Sequence, residues 1–293
     1  MAILRVIEPR QEQVGSQPIL RALPSARCRS VGPFVFFDYL VPHSYPPGQG
    51  LDIGQHPHIG LSTLTYLLEG ELLHKDSLGS EARVRPGGLS WMTAGSAIAH
   101  IERTPEALIR TGSRLHGLQA WLAMPKDEEQ GEPDYQYFEP DELPFHNAEG
   151  VRIRLLAGHG FRLIAPAPVL SPTLYAVVDM TPGSTLLIPD EHVERAVFLL
   201  SGEAHLGAEP LHAHRLAVLE PGVEMTLVSG EGASLVLLGG APLEGGTRRM
   251  SWNFVSTDQR LIEMARTNWA AGNWPQVSGE AGRIALPGAA SED

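Results

Sequence analysis

Short apolar and β-branched runs alternate along this chain with glycine- and proline-rich breaks. FVFFDYLV (34–41), STLTYLLE (62–69), ALIRTGSRLHGLQAWLA (107–123), TLYAVVDM (173–180), STLLIP (184–189), RAVFLLSG (195–202), HRLAVLEPG (214–222), EMTLVSG (224–230) and ASLVLLGG (233–240) all read as strand-forming segments. Breaks at intervals of roughly 8–12 residues are the pattern of an all-β sandwich or barrel. Helical periodicity is nearly absent until Ser256-Thr257-Asp258-Gln259. That stretch resembles a capping box and opens a helix with Leu261, Ile262, Ala265 and Trp269 on one side, punctuated by Gly272 and Pro275.

The pattern repeats. YLLEGELLH (66–74) followed by VRPGGLSWMTAG (84–95) is echoed by FLLSGEAHL (198–206) followed by LEPGVEMTLVSG (219–230). Each half reads as strand, glycine turn, strand, Pro-Gly turn, strand, with Gly70 and Gly202 suited to a turn that needs positive φ. Such a duplication predicts an all-β chain of two tandem small jelly-roll barrels facing each other, plus a C-terminal helix. The acidic, proline-rich stretch PKDEEQGEPDYQYFEPDELPFHNAEG (125–150) reads as a solvated connector. The expected division is a metal-binding barrel at 1–130, an acidic linker at 131–150, a metal-free barrel at 151–245, and a helix and tail at 246–293.

Composition narrows the function. The 293 residues carry 34 acidic and 22 basic side chains, a formal charge of −12. An acidic surface repels phosphate backbones, so direct nucleic-acid binding is not expected. No apolar run approaches the roughly 18–20 residues of a membrane span. No secretory leader pattern stands at the N-terminus, and the chain is expected to be soluble and cytoplasmic. The single cysteine, Cys28, excludes an internal disulfide and a cysteine-based zinc site.

The candidate chemistry is a histidine cluster. His56-Pro57-His58 places two imidazoles at i and i+2, on one face of a strand. His100-Ile101-Glu102 repeats the spacing. If the two strands are neighbours, three imidazole nitrogens and one carboxylate converge, a set suited to iron, manganese, nickel, copper or zinc. His74 and His116 are candidates for lining the same barrel. On strand parity Leu64, Tyr66 and Leu68 would form a dry wall beside the cluster. His212-Ala213-His214 reads as a hairpin decoration, and Glu191-His192-Val193-Glu194 as a broken ligand set that leaves the second half without metal.

These residues carry a resemblance. VGPFVFFDYL (31–40), HPHIGLSTLTYLLEGELLHKDSLG (56–79), PGGLSWMTAG (86–95), HIERTP (100–105), LHGLQAWLAMP (115–125), ERAVFLLSGE (194–203), GGAPL (239–243) and WNFVS (252–256) are similar to the pirin family of the cupin superfamily. The resemblance implies a bicupin with one mononuclear divalent metal, commonly Fe(II), held by His56, His58, His100 and Glu102. It implies two kinds of activity. One is a quercetin 2,3-dioxygenase-type oxygenase acting on a small flavonol-like aromatic, with Glu102 taking the substrate's hydroxyl proton. The other is a metal- or redox-dependent regulator that binds transcription factors or metabolic enzymes. Four places depart from the family pattern or from related cupins: Ile59 stands for an arginine, Ser62 for a glutamate, Ser96 for an arginine in a glycine-flanked run, and Ile101 for a small polar residue.

Overall fold

The computed structural model describes residues 2–288; Met1 and 289–293, the end of the expected tail, lie outside the described residues. The chain is mostly β, in tandem barrels with a C-terminal helix. It divides into two compact units that interleave in sequence. One comprises the residues up to Glu12, Leu20–Tyr39 and Phe138–Pro242; the other comprises Gln13–Ile19, Leu40–Tyr137 and the chain from Leu243 onward. The contiguous division expected from the sequence differs from this because strand pairing joins distant segments. Ile3–Ile7 pairs antiparallel with Leu216–Leu219, which draws the N-terminus into the later unit.

The later unit is built on a ten-stranded sheet around the long strands Glu194–Leu206 and Met225–Gly240. EMTLVSG and ASLVLLGG, separate in the sequence reading, fuse into that second strand. Its first part pairs with Thr185–Ile188 and its second with Thr173–Met180. The interior is aliphatic: Leu155, Val178, Leu199, Leu227, Leu235 and Leu237 are among its buried members.

The earlier unit holds a four-stranded sheet in the order Asp52–His58, Ile98–Arg103, Leu72–Asp76, Glu81–Val84. Leu61–Glu69, flanked by Leu89–Thr93 and Ser113–Ala123, belongs to a second sheet. Residues 107–111, read as the start of a strand, belong instead to a short helix, Glu106–Thr111. Pro105 sets its first turn, Glu106 pairs with Arg110 at 2.8 Å one turn on, and Gly112 at φ 83° stops it. The acidic stretch carries two strands, Asp134–Phe138 and Phe145–Ala148. Tyr135 and Tyr137 anchor the first by hydroxyl bonds to Ser90 Oγ and the Arg85 amide, both at 3.1 Å.

The helix Gln259–Ala271 forms where its sequence indicates, with Asp258 rather than Ser256 of the expected capping box as its N-cap. Asp258 caps the Arg260 amide at 2.9 Å, and Gly272 ends it at φ 79°. Its buried face, Ile262, Ala265 and Trp269, packs with Ile59, Ala99, Phe254 and Trp274. Trp274 Nε1 donates to the Ile98 carbonyl at 3.1 Å, which ties this cluster to the strand carrying His100. Among the described residues no helix is long and apolar enough to cross a membrane.

Candidate metal centre

The two histidine strands are hydrogen-bonded neighbours. Ile98–Arg103 runs antiparallel to Asp52–His58, with Ile98 opposite His58 and His100 opposite His56. On its other side it pairs with Leu72–Asp76, with His100 opposite Asp76 and Glu102 opposite His74. Parity therefore puts His56, His58, His100, Glu102, His74 and Asp76 on one face of this sheet.

His56, His58 and His100 come together: one ligand atom from each lies within 4.8 Å of the others. All three are buried, and His58 and His100 are each 1% exposed. Glu102 stands outside this tight group and accepts from Thr65 Oγ1 at 3.0 Å. A register shift lies beside it. The pairing steps from His100–His56 to Glu102–Ile53, so the strand Asp52–His58 carries an extra residue near Gly54 and Gln55.

Hydrogen bonds fix which nitrogens are available. His56 Nδ1 lies 2.9 Å from the Gly54 carbonyl, which only accepts. Nδ1 therefore carries the proton and Nε2 of the neutral ring is a lone pair. His74 Nε2 lies 3.1 Å from Asp76 Oδ2, and His74 Nδ1 lies 3.3 Å from His100 Nδ1. Working outward from the carboxylate, a His74 ring that donates from Nε2 to Asp76 accepts at Nδ1 in its single-proton form, and His100 then donates from Nδ1. This leaves the Nε2 lone pair of His100 facing His58 Nε2 at 3.1 Å. Asp76 is itself held by the Leu78 and Ser80 amides at 2.9 and 3.0 Å. Tyr135 stacks on His74 at 4.0 Å between ring centroids.

Electrostatics keep the cluster metal-competent. Burial lowers the pKa of His56 to about 4, and it holds His58 and His100 well below the ordinary imidazole range, with neighbouring histidines adding to the shift. Burial pushes the Glu102 carboxyl up, with His74 and Thr65 opposing. Burial also pushes Asp76 up, but hydrogen bonds from His74 and Ser80 outweigh it and hold the carboxyl below its usual range.

These residues fit a divalent ion. A single proton can satisfy the facing His58 and His100 nitrogens, whereas a cation satisfies all three imidazoles at once. His58 Nδ1 is buried without a partner, so nothing locks that ring in a tautomer that would block Nε2. Three neutral imidazoles with a carboxyl nearby suit borderline metals, and the Asp76–His74–His100 chain is the kind of outer support that orients a ligating imidazole.

Several predicted neighbours lie elsewhere. The expected wall of Leu64, Tyr66 and Leu68 assumed one unbroken strand from His56. Gly60, at φ 67°, breaks it, because a Cβ there would sit 2.0 Å from the Val255 carbonyl oxygen. The next strand starts at Leu61 with parity reversed, and Thr65 faces Glu102 while Leu64 and Tyr66 turn to the opposite face. Ile59 packs in the apolar cluster with the C-terminal helix, and Ser96 is exposed. Trp121, with its ring centroid 5.3 Å from that of His58 in an edge-on arrangement, and Gln119, whose side-chain amide stands 2.6 Å from Thr65 Oγ1, complete the surroundings. The spacing reading missed Asp76, Thr65, Gln119, Trp121 and Tyr135; the HxD at His74–Asp76 was a signal that could have found Asp76. The later unit also holds a group: ligand atoms of His159, Glu191 and His192 lie within 4.8 Å of one another.

Comparison with known proteins agrees with this fold. The Pirin family model matches residues 16–122, and the Pirin C-terminal cupin domain model matches residues 175–275. A pirin-like protein of Caulobacter vibrioides is 41% identical over 270 residues, 91% of this chain and 93% of its own length. The crystal structure of a quercetin 2,3-dioxygenase from Acinetobacter baumannii superposes with a TM-score of 0.90 at 31% identity, covering 99% of this chain and 97% of that one. A bacterial pirin from Escherichia coli, YhhW, solved in complex with nickel(II), shares the fold at TM-score 0.63 and 17% identity, over 82% of this chain and 99% of its own. With both of its halves matched and a relative aligned along nearly its whole length, the chain belongs to the pirin family of cupin proteins.

Proposed function

We propose that this protein is a metal-dependent oxygenase of the quercetin 2,3-dioxygenase type that acts on a flavonol-like aromatic. The metal is one divalent ion, Fe(II) first, with Mn, Ni, Cu and Zn as the other ions the donors accept. Nε2 of His56, His58 and His100 would hold it, with Glu102 supplying the carboxylate. The observation that carries the reading is the convergence of three buried, neutral imidazoles beside a carboxyl whose proton affinity burial has raised. The likeness to the Acinetobacter enzyme supports it.

A divalent ion bound there supplies Lewis acidity, which lowers the pKa of a substrate hydroxyl. The chain's own residues do the rest. Glu102 takes the hydroxyl proton, and a buried carboxyl is a better base than an exposed one. Thr65 fixes Glu102 Oε1, so the accepting group is oriented before substrate arrives. Asp76 and His74 hold the His100 ring with Nε2 forward. Trp121 and Tyr135 give the site aromatic surroundings that limit water.

Oxygen uptake with quercetin, measured on metal-loaded protein, tests this. Wild type is expected to consume oxygen. Glu102→Gln is expected to lose about 100-fold or more of the rate while keeping metal, and His58→Ala to lose both metal and rate. A fully loaded wild type that takes up no oxygen would overturn the oxygenase reading and leave a metal-responsive binding protein in its place.

A further inference from the structure

We propose that the later unit carries a second divalent-cation site, formed by His159, Glu191 and His192, with His192 ligating through Nδ1. It lies in the unit expected to be metal-free and does not depend on the site described above.

Three observations carry it. The ligand atoms of the three side chains lie within 4.8 Å of one another. His192 is 3% exposed, and its Nε2 lies 2.9 Å from the His159 carbonyl oxygen. A carbonyl only accepts, so Nε2 carries the proton and the neutral ring has its lone pair on Nδ1. That Nδ1 is buried without a hydrogen-bond partner. A buried acceptor with no donor is destabilising, and a cation shared with His159 and Glu191 removes that cost.

The local fold holds the three groups in place. His159 ends the strand Val151–Gly160, and its ring centroid is 4.4 Å from that of His192. The Glu191 carboxylate leans over the end of this strand, with Oε2 4.0 Å from where a Cβ on Gly160 would stand. The segment carrying Glu191 and His192 is pinned by the buried Arg195, which donates to the Pro189 carbonyl at 2.5 Å and to the Glu220 and Val223 carbonyls at 2.9 Å. Histidine pairs with carboxylate in partly exposed sites bind borderline ions and leave positions for water or a small ligand. Zn(II) is the ion this N,N,O set fits best.

The sequence concealed this group. His159 is far from Glu191-His192 along the chain, and the adjacent pair lacks the i, i+2 spacing of the first site.

Zn(II) titration of metal-free full-length protein near neutral pH, with bound metal counted by elemental analysis, tests the proposal. Wild type is expected to bind two equivalents. Glu191→Gln and His159→Gln should each weaken one equivalent by about tenfold or more and leave the other unchanged, with the metal-free melting temperature unaltered. His58→Ala/His100→Ala should lose the other equivalent and keep this one. Nitrogen chemical shifts of the His192 ring should show zinc on Nδ1. The proposal is overturned if wild type saturates at one equivalent that His58→Ala/His100→Ala removes, or if a second equivalent persists in both Glu191→Gln and His159→Gln.

Discussion

The two units share a strand pattern but fill their interiors differently. Each carries a positive-φ glycine at the matching place: Gly70 at φ 88° follows the strand Leu61–Glu69, whereas Gly202 at φ 82° lies inside the continuous strand Glu194–Leu206 beside a register shift, where the sequence pattern indicated a turn. A Cβ on either would come within 2.2 Å of a backbone carbonyl oxygen, Arg114 O for the first and Gly232 O for the second. Inside, the later unit is a continuous aliphatic core. The earlier unit devotes one sheet face to His56, His58, His74, Asp76, His100 and Glu102. The same strand pattern thus encloses an aliphatic interior in one copy and carries a polar, histidine-rich face in the other. The polar copy stays folded because each buried polar group but His58 Nδ1 in that set finds a partner or a lone pair aimed at the site.

The contrast can be broken from either side. Leu237→Ala removes a buried side chain from the aliphatic core, and about 2–5 kcal/mol of stability should go with it. Metal content at the histidine site should not change. His58→Ala/His100→Ala should do the reverse, with metal affinity at that site falling by more than the roughly 10- to 100-fold typical of an outer-shell change. Denaturant melts alongside elemental analysis would separate the two effects.

Acid should sharpen the difference. In the folded, metal-free protein His56 has its pKa lowered to about 4, against roughly 6.5 when unfolded. The unfolded chain therefore binds more protons, and stability is lost as pH falls below about 6.5, by about 3 kcal/mol at pH 4 from His56 alone. Replacing His56 with a non-titrating residue should flatten that slope in urea melts between pH 4 and 7.

A smaller effect is expected one step out from the ligands. Asp76→Asn leaves the sheet intact but removes the charge that holds His74 in its tautomer. Metal affinity should fall about 10- to 100-fold, and a competition titration with a chelator would measure it. Gly70→Ala and Gly202→Ala should each cost more than about 1 kcal/mol, because the added Cβ meets backbone that must shift. Similar losses in thermal melts would show that the matching positive-φ glycine has one role in both units, whatever the interior contains.

Much of this arrangement was legible in the sequence. HPH and HIE each put two potential ligands on one strand face, and the repeated glycine and Pro-Gly turns announced two barrels. Long-range geometry was not legible. Parity counting from His58 failed at Gly60, where the close Val255 carbonyl forces a break and moves Thr65, not Leu64, toward the site. Opposite Glu102 the facing strand carries an extra residue near Gly54, and no spacing rule announces a bulge. Asp76 acts only through His74 and His100, a chain that depends on the pairing of Leu72–Asp76 with Ile98–Arg103. The pairing of Ile3–Ile7 with Leu216–Leu219 joins segments too far apart in the chain for local pattern to connect.

The central claim is that the polar face of the earlier unit is a metal centre built on three imidazole Nε2 atoms. X-ray absorption of iron-loaded Glu191→Gln protein, compared with the same protein carrying His58→Ala, tests it most directly. Three imidazoles around one iron, falling in number or vanishing with the metal in the His58→Ala sample, is the predicted result. An iron environment of oxygen donors without imidazole, or one unchanged by His58→Ala, would contradict it.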